Sequence, residues 1–127
     1  MSQDRPTTGA ITWTDLTVPD AEVVRDFYAK VVGWKAEEVP MAGYNDFAMK
    51  TPAGTMVAGI CHARGQNEAL PPAWLVYIAV DDMIESLKAV VRGDGEILDG
   101  PREMGGGVFA CIKDPAGAVC ALWQAYG

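Results

Sequence analysis

The stretch TPAGTMVAGIC at positions 51–61 returns sixty-three residues later as DPAGAVCALWQ at 114–124. Each copy is a Pro-Ala-Gly turn followed by a short apolar run. Proline presets φ and glycine closes the reversal, so each copy predicts a hairpin. Upstream of both turns other landmarks recur: Val18 and Val80, Asp20 and Asp82, and Gly33 and Gly95 are each 62 residues apart. Landmarks repeated at one offset mark a duplicated structural unit. The step from 62 to 63 predicts one inserted residue.

Each half then reads as the same series of elements. A strand over about 10–18, or 74–80, runs into an aspartate that can cap a helix by accepting backbone N–H groups. Helices follow over about 20–32 and 82–92. The first places Val23, Phe27 and Val31 on an i, i+4 stripe expected to face a core, with Val24 and Tyr28 beside it. The second presents Leu87, Val90 and Val91, with Glu85 three after Asp82 as in a capping box. Gly33 and Gly95 are expected to stop the helices in the left-handed conformation. Three strands close each half, at about 34–39, 44–51 and 55–62, then 95–99, 107–113 and 117–124.

This order predicts an α+β fold of two tandem βαβββ modules. Their curved mixed sheets would enclose a cleft, with one helix per module on the outer face. The modules are expected at 10–62 and 74–127, in one compact domain over 10–125. The polar, proline-rich segment within 63–73 reads as a linker and residues 1–9 as a flexible tail. His62, the only histidine, would sit exposed at the start of that linker. The glycine-rich GDGEILDGPREMGGG (93–107) lacks a nucleotide-loop pattern and reads as a mobile flap over the cleft mouth.

Composition narrows the function classes. The net charge is −7, and the ten Lys and Arg are scattered, which argues against nucleic acid. No apolar run approaches the ~18–20 residues of a membrane span, and the first nine residues lack the core of a secretory signal. The three cysteines lie in apolar stretches without ligand spacing, so they read as buried small hydrophobes in a reducing cytoplasm.

DAEVVRDFYAKVVGW, the paired strand-Asp-helix starts, WLVYIAVDD and DPAGAVCALWQ together resemble the vicinal oxygen chelate superfamily of glyoxalases, bleomycin-resistance proteins and extradiol dioxygenases. The resemblance covers about 10–125. It implies a divalent metal held by a His seven residues before the helix-start Asp and a Glu or His seven after the turn's first residue. Those offsets fall on Trp13, Leu75, Ala58 and Ala121. None offers a usable lone pair, whereas a metal site needs three or four N, O or S donors. The resemblance therefore implies a member with no metal and no cofactor, near the branch that holds flat ligands by packing.

Strand alternation assigns the cleft-facing side chains. On the first strand these are Trp13, Asp15 and Thr17, and on the fifth Leu75 and Tyr77. On the fourth they are Met56, Ala58, Ile60 and His62, and on the eighth Val119, Ala121 and Trp123. The third strand's facing is left open by alternation, with Phe47 and Met49 as inward candidates. The expected ligand-binding set is Trp13, Asp15, Phe47, Met56, Ile60, Tyr77 and Trp123. Aromatic walls with one carboxylate suit a flat and partly aromatic molecule, or a cation. The same aromatics read equally as core filling. Metal-independent binding, in a sequestering or carrier role, is the expected function. The alternative is a lyase, isomerase or oxidoreductase of the glyoxalase/dioxygenase type with displaced ligands. Exposed strand edges predict a homodimer.

Overall fold

The computed structural model describes residues 6–126. The element order is β1 (Ile11–Val18), α1 (Ala21–Val32), β2 (Lys35–Pro40), β3 (Asn45–Lys50), β4 (Met56–His62), β5 (Leu75–Ala79), α2 (Met83–Arg92), β6 (Glu96–Met104), β7 (Gly107–Lys113) and β8 (Val119–Ala125). This is βαβββ twice, an α+β fold. A short 3₁₀ turn at Gly65–Asn67 lies in the linker segment, where Leu70 is buried. The first five residues of the expected tail lie outside the described residues.

Two compact units are present. The first, Thr14–Trp74, is called here the N-unit, with strand order β2-β3-β4-β1. The second, the C-unit, covers 75–126 and takes in 6–13; its strand order is β5-β8-β7-β6. In each unit the outermost strands pair antiparallel, while the strand before the helix pairs parallel with the last one. Asp15 thus lies beside Gly59, and Tyr77 beside Ala121.

Each unit has its own core between helix and sheet. In the N-unit Ala21, Phe47, Met49 and Ile60 form it, with Val18, Val24, Tyr28, Trp34 and Trp74 packed around them. The Trp74 indole donates to the Tyr28 hydroxyl at 3.1 Å. In the C-unit the core is Met83, Leu87, Ala110 and Leu122, flanked by Ile78, Val80, Val90 and Ile112.

The repeated turns owe their likeness to shared hydrogen bonds. Thr51 N–H donates to the Thr55 carbonyl at 2.8 Å and Asp114 N–H to the Ala118 carbonyl at 2.8 Å, while Gly54 and Gly117 take φ of +96° and +92°. The residue opening each turn reinforces it. Thr51 Oγ1 accepts from Thr55 N–H at 3.1 Å, and Asp114 Oδ1 accepts from Ala116 and Ala118 N–H at 2.9 and 3.0 Å.

Four local expectations are corrected. Asp20 makes no side-chain cap, whereas Asp82 accepts from Glu85 N–H at 3.2 Å as expected. Gly33 does end α1 at φ +78°. At α2, however, Asp94 takes the left-handed conformation at φ +65°. Gly95 is instead required by close approach: a Cβ there would lie 2.9 Å from the Lys113 carbonyl and from a Val90 methyl. Third, α1 is turned relative to its expected facing. Val24 and Tyr28 pack on the core, while Val23, Phe27 and Val31 are exposed. The helix offers two adjacent apolar stripes, and periodicity alone does not say which one is buried.

Fourth, the glycine-rich segment is no flap. β6 runs through it to Met104, and Gly105–Gly106 make a two-residue hairpin into β7. Gly105 has φ of +60°, the conformation such a turn needs at its first central position. The β6–β7 register shifts between Ile97 and Asp99 and again before Arg102. Each shift adds one residue to β6, two in all, so the single step from 62 to 63 is a net difference between the halves.

Candidate functional site

The facing of β4 decides where the expected site residues lie. Met49 pairs with Ala58 but Lys50 pairs with Met56, so Val57 stands opposite no residue. This is a β-bulge, and one extra residue reverses the facing of the strand beyond it. Past the bulge, Ile60 pairs with Leu16 and with Phe47. Ile60 and Phe47 are both core residues against α1. Their expected place on the opposite face is corrected. They are core, not lining.

The N-unit face away from α1 carries Asp15, Thr17, Ala48, Gly59 and Cys61, by the register of β1 with β4 and β3 with β4. Asp15 is half-buried and Thr17 buried. Burial pushes the Cys61 thiol well above its usual range, and the negative charges of Asp15 and Asp46 push it further. Met56, ahead of the bulge, is exposed.

His62 is the main residue that sequence reasoning misplaced. It is the last residue of β4, pairs with Val18, and is 7% exposed. Its backbone N–H donates to Asp46 Oδ1 at 2.9 Å. Its ring nitrogens lie 3.3 Å from Asp46 Oδ1 and 3.1 Å from Glu22 Oε1. The Tyr44 ring stands edge-on at 5.3 Å. His62 therefore ties the first turn of α1 to β3 and β4. Through its hydrogen bond it holds the Glu22 carboxyl below the usual glutamate range. An Asp15–His62 pair is not formed, because β1 and β4 place the two on opposite faces. The signal available in sequence was an Asp at 46 and a Glu in the first helical turn, with nothing to link them.

In the C-unit, Tyr77 pairs with Ala121 and Ala79 with Trp123, on the face opposite Ile78 and Leu122, which pack with α2. Phe109 pairs with Trp123 and joins that face. Its ring lies 5.7 Å from that of Tyr77, and the Arg102 guanidinium sits 4.9 Å from the Phe109 centroid. Asp99 Oδ2 accepts from Arg102 Nε at 3.1 Å and from Nη2 at 2.9 Å, which fixes that cation over the ring. The Tyr77 hydroxyl points at Met104 Sδ, 3.8 Å away.

Tyr77 and Phe109 are buried, whereas Trp123 and Trp13 are half-buried. The Trp123 indole lies along the β6–β7 hairpin, where a Cβ on Gly107 would come 2.9 Å from Trp123 Cζ2. Phe109 and Arg102 were not foreseen: alternation left the facing of β7 open, and the β6 shifts hide that of Arg102. Two concavities, of about 350 and 460 Å³, lie along α2 and hold none of these residues.

Residues 10–122 match the Glyoxalase/Bleomycin resistance protein/Dioxygenase superfamily. The chain belongs to that superfamily. Among curated proteins it is 36% identical over 120 residues to the putative glyoxylase CFP32 of Mycobacterium tuberculosis, covering 92% of this chain and 46% of that protein. It is 31% identical over 129 residues to the anthracycline biosynthesis protein DnrV of Streptomyces peucetius, covering 91% and 47%. The chain spans about half the length of these relatives. Methylmalonyl-CoA epimerase from Mycobacterium tuberculosis superposes with a TM-score of 0.58 at 13% identity, covering 100% of this chain and 94% of that one. That likeness is one of fold.

The metal implied by the superfamily does not fit these residues. Asp15 beside Gly59 matches Tyr77 beside Ala121 at an offset of 62, so the counterpart of Ala121 is Gly59 and not Ala58. Trp13, Gly59, Leu75 and Ala121 supply no donor. Among the described residues, no group of three or more His, Cys, Asp or Glu is placed to hold a metal ion. No chemical step is derived through one.

Proposed function

We propose that this superfamily member binds a small, partly aromatic molecule without a metal, in a sequestering or carrier role. The supporting observation is the C-unit sheet face on which Tyr77, Phe109 and Trp123 lie together, with Arg102 held over Phe109 by Asp99. Where superfamily enzymes would place ligating side chains, this face carries Leu75 and Ala121. The buried Tyr77 and Phe109 form a floor, the half-buried Trp123 offers a ring surface to a ligand, and this reading adds the half-buried Trp13 of β1 as a second. Similarity to an anthracycline biosynthesis protein is in keeping with this, since anthracyclines are flat polycyclic aromatics. The three free cysteines agree with a reducing cytoplasm. The protein works as a homodimer in this reading.

The test is titration of flat aromatic compounds, neutral and cationic, followed by tryptophan fluorescence. A stacked ring contributes about 0.5–1.5 kcal/mol beyond its buried area. Trp123→Ala and Trp13→Ala should each weaken binding by roughly threefold to tenfold or more, at 1.4 kcal/mol per decade. Failure of the whole panel to change the wild-type signal, or unchanged affinity in both tryptophan variants, would refute the reading.

A further inference from the structure

Helix α1 carries Val23, Phe27 and Val31 on one line, 68%, 55% and 59% exposed. Large apolar side chains at i, i+4 and i+8 that face solvent are not explained by the core, which α1 covers with Ala21, Val24 and Tyr28. Nor does the fold require them. At the 62-residue offset shared by the helix starts, the counterparts in α2 are Glu85, Ala89 and Gly93. The same line on α2 is thus polar or small, although α2 exposes Ile84 and Val91 on another line.

We infer that this stripe is a self-association surface, on which α1 of a second copy packs antiparallel about a two-fold axis at Phe27. The inference rests on the homodimer reading above and names its surface. A two-fold contact is self-complementary. Phe27 meets Phe27 of the other copy, and Val23 meets Val31. The flank beside the stripe is Glu22, Asp26 and Lys30. Reversal of the partner helix brings Glu22 in the first turn, whose Oε1 lies on His62 but whose side chain is 58% exposed, against basic Lys30 in the last turn. Asp26 would meet its own copy, but its charge is already offset by Arg25 Nε at 2.9 Å. Charge complementarity therefore selects the antiparallel arrangement. The 12-residue helix is about 18 Å long. Alone it covers less than the roughly 800 Å² per partner of a standard stable interface, so the dimer should dissociate on dilution.

Light scattering across a concentration series tests this on the 127-residue chain. The wild type should approach twice the chain mass at high concentration and fall toward one on dilution. Phe27→Glu should remain at one chain mass over the same range. Ile84→Glu, an equally exposed apolar position on α2, should behave as wild type. Phe27→Cys, oxidised with diamide, should form a disulfide-linked dimer, whereas Ile84→Cys and the wild type should not. That variant decides the matter if Phe27→Glu fails to fold. A wild type that stays at one chain mass throughout removes both the dimer and its surface. A dimer that persists in Phe27→Glu, with no cross-linking through Phe27→Cys, keeps the dimer and overturns the surface.

Discussion

Replacing His62 by Phe separates its two roles, because the ring is kept and both nitrogens are lost. Packing against Tyr44 at 5.3 Å and Phe47 at 6.2 Å is preserved in kind. Asp46, only 7% exposed, keeps the residue 62 backbone N–H at 2.9 Å but loses the imidazole at 3.3 Å. A buried polar group that loses a partner costs about 1–3 kcal/mol. The long contact and the surviving bond place this case at about 1–2 kcal/mol. The Glu22 contact adds little, since that carboxylate is solvated and screened. With a urea m-value of about 2 kcal/mol/M, the unfolding midpoint should fall by about 0.5–1 M. Asp46→Asn in the His62→Phe background should cost less than in the wild type, because a neutral amide is cheaper to bury than a carboxylate. A midpoint within about 0.2 M of wild type, or strictly additive effects in the double variant, would mean that His62 does not hold the β3–β4–α1 corner.

Other consequences are testable in parallel. The Glu22 carboxyl is held low by His62. A carboxyl whose folded pKa lies below its unfolded one adds stability above the unfolded value and loses it as pH falls through the folded one. NMR titration should therefore find Glu22 ionised down to below the ordinary glutamate midpoint, and His62→Phe should move that midpoint up. Burial pushes the Cys111 thiol up to about 11 and raises Cys61 and Cys120 as well. All three should react with a thiol reagent at pH 8 far more slowly in the native protein than in urea. Gly107→Ala would drive a methyl against the Gln124 carbonyl and the Trp123 ring. It should destabilise by about 1–3 kcal/mol and shift the tryptophan emission. Elemental analysis of protein prepared without chelator should find well under one Zn, Ni, Fe or Mn per chain.

The turns and their spacing made the fold legible. Two Pro-Ala-Gly hairpins, two helix-start aspartates and a common offset bound every strand and both helices to within a few residues, save for β6. What stayed hidden was phase. An alternating strand declares two faces but not which one meets the helix, and the Val57 bulge changes the answer part-way along β4. Ile60 was misplaced for that reason, as was the carried-over ligand position Ala58. Tyr77 and Trp123 lie on unbulged β5 and β8, and alternation placed both on the face opposite α2. On α1 the ambiguity was rotational, since Val23–Phe27–Val31 and Val24–Tyr28 are equally good stripes in a string of letters. His62 was illegible for another reason. Its partners are 16 and 40 residues away, and no local pattern encodes a contact of that range.

The unpaired residue at 57 also fixes where new chemistry can be engineered. A designer restoring a ligand by counting from the Thr51 turn would mutate Ala58, and the added carboxylate would enter the helix side of the sheet beside Met49, both residues being almost wholly buried. Burial there leaves the charge unsolvated, so the variant should be strongly destabilised before its chemistry can be assayed. One residue further on, at Gly59, the same carboxylate would emerge on the side that carries Asp15. Deleting Val57 would move the boundary again, bringing the turn-based count and the strand into step and sending position 58 to the opposite side. A single backbone irregularity thus acts as the phase setting of this half, and transplanting a metal site from an unbulged homologue has to begin with it.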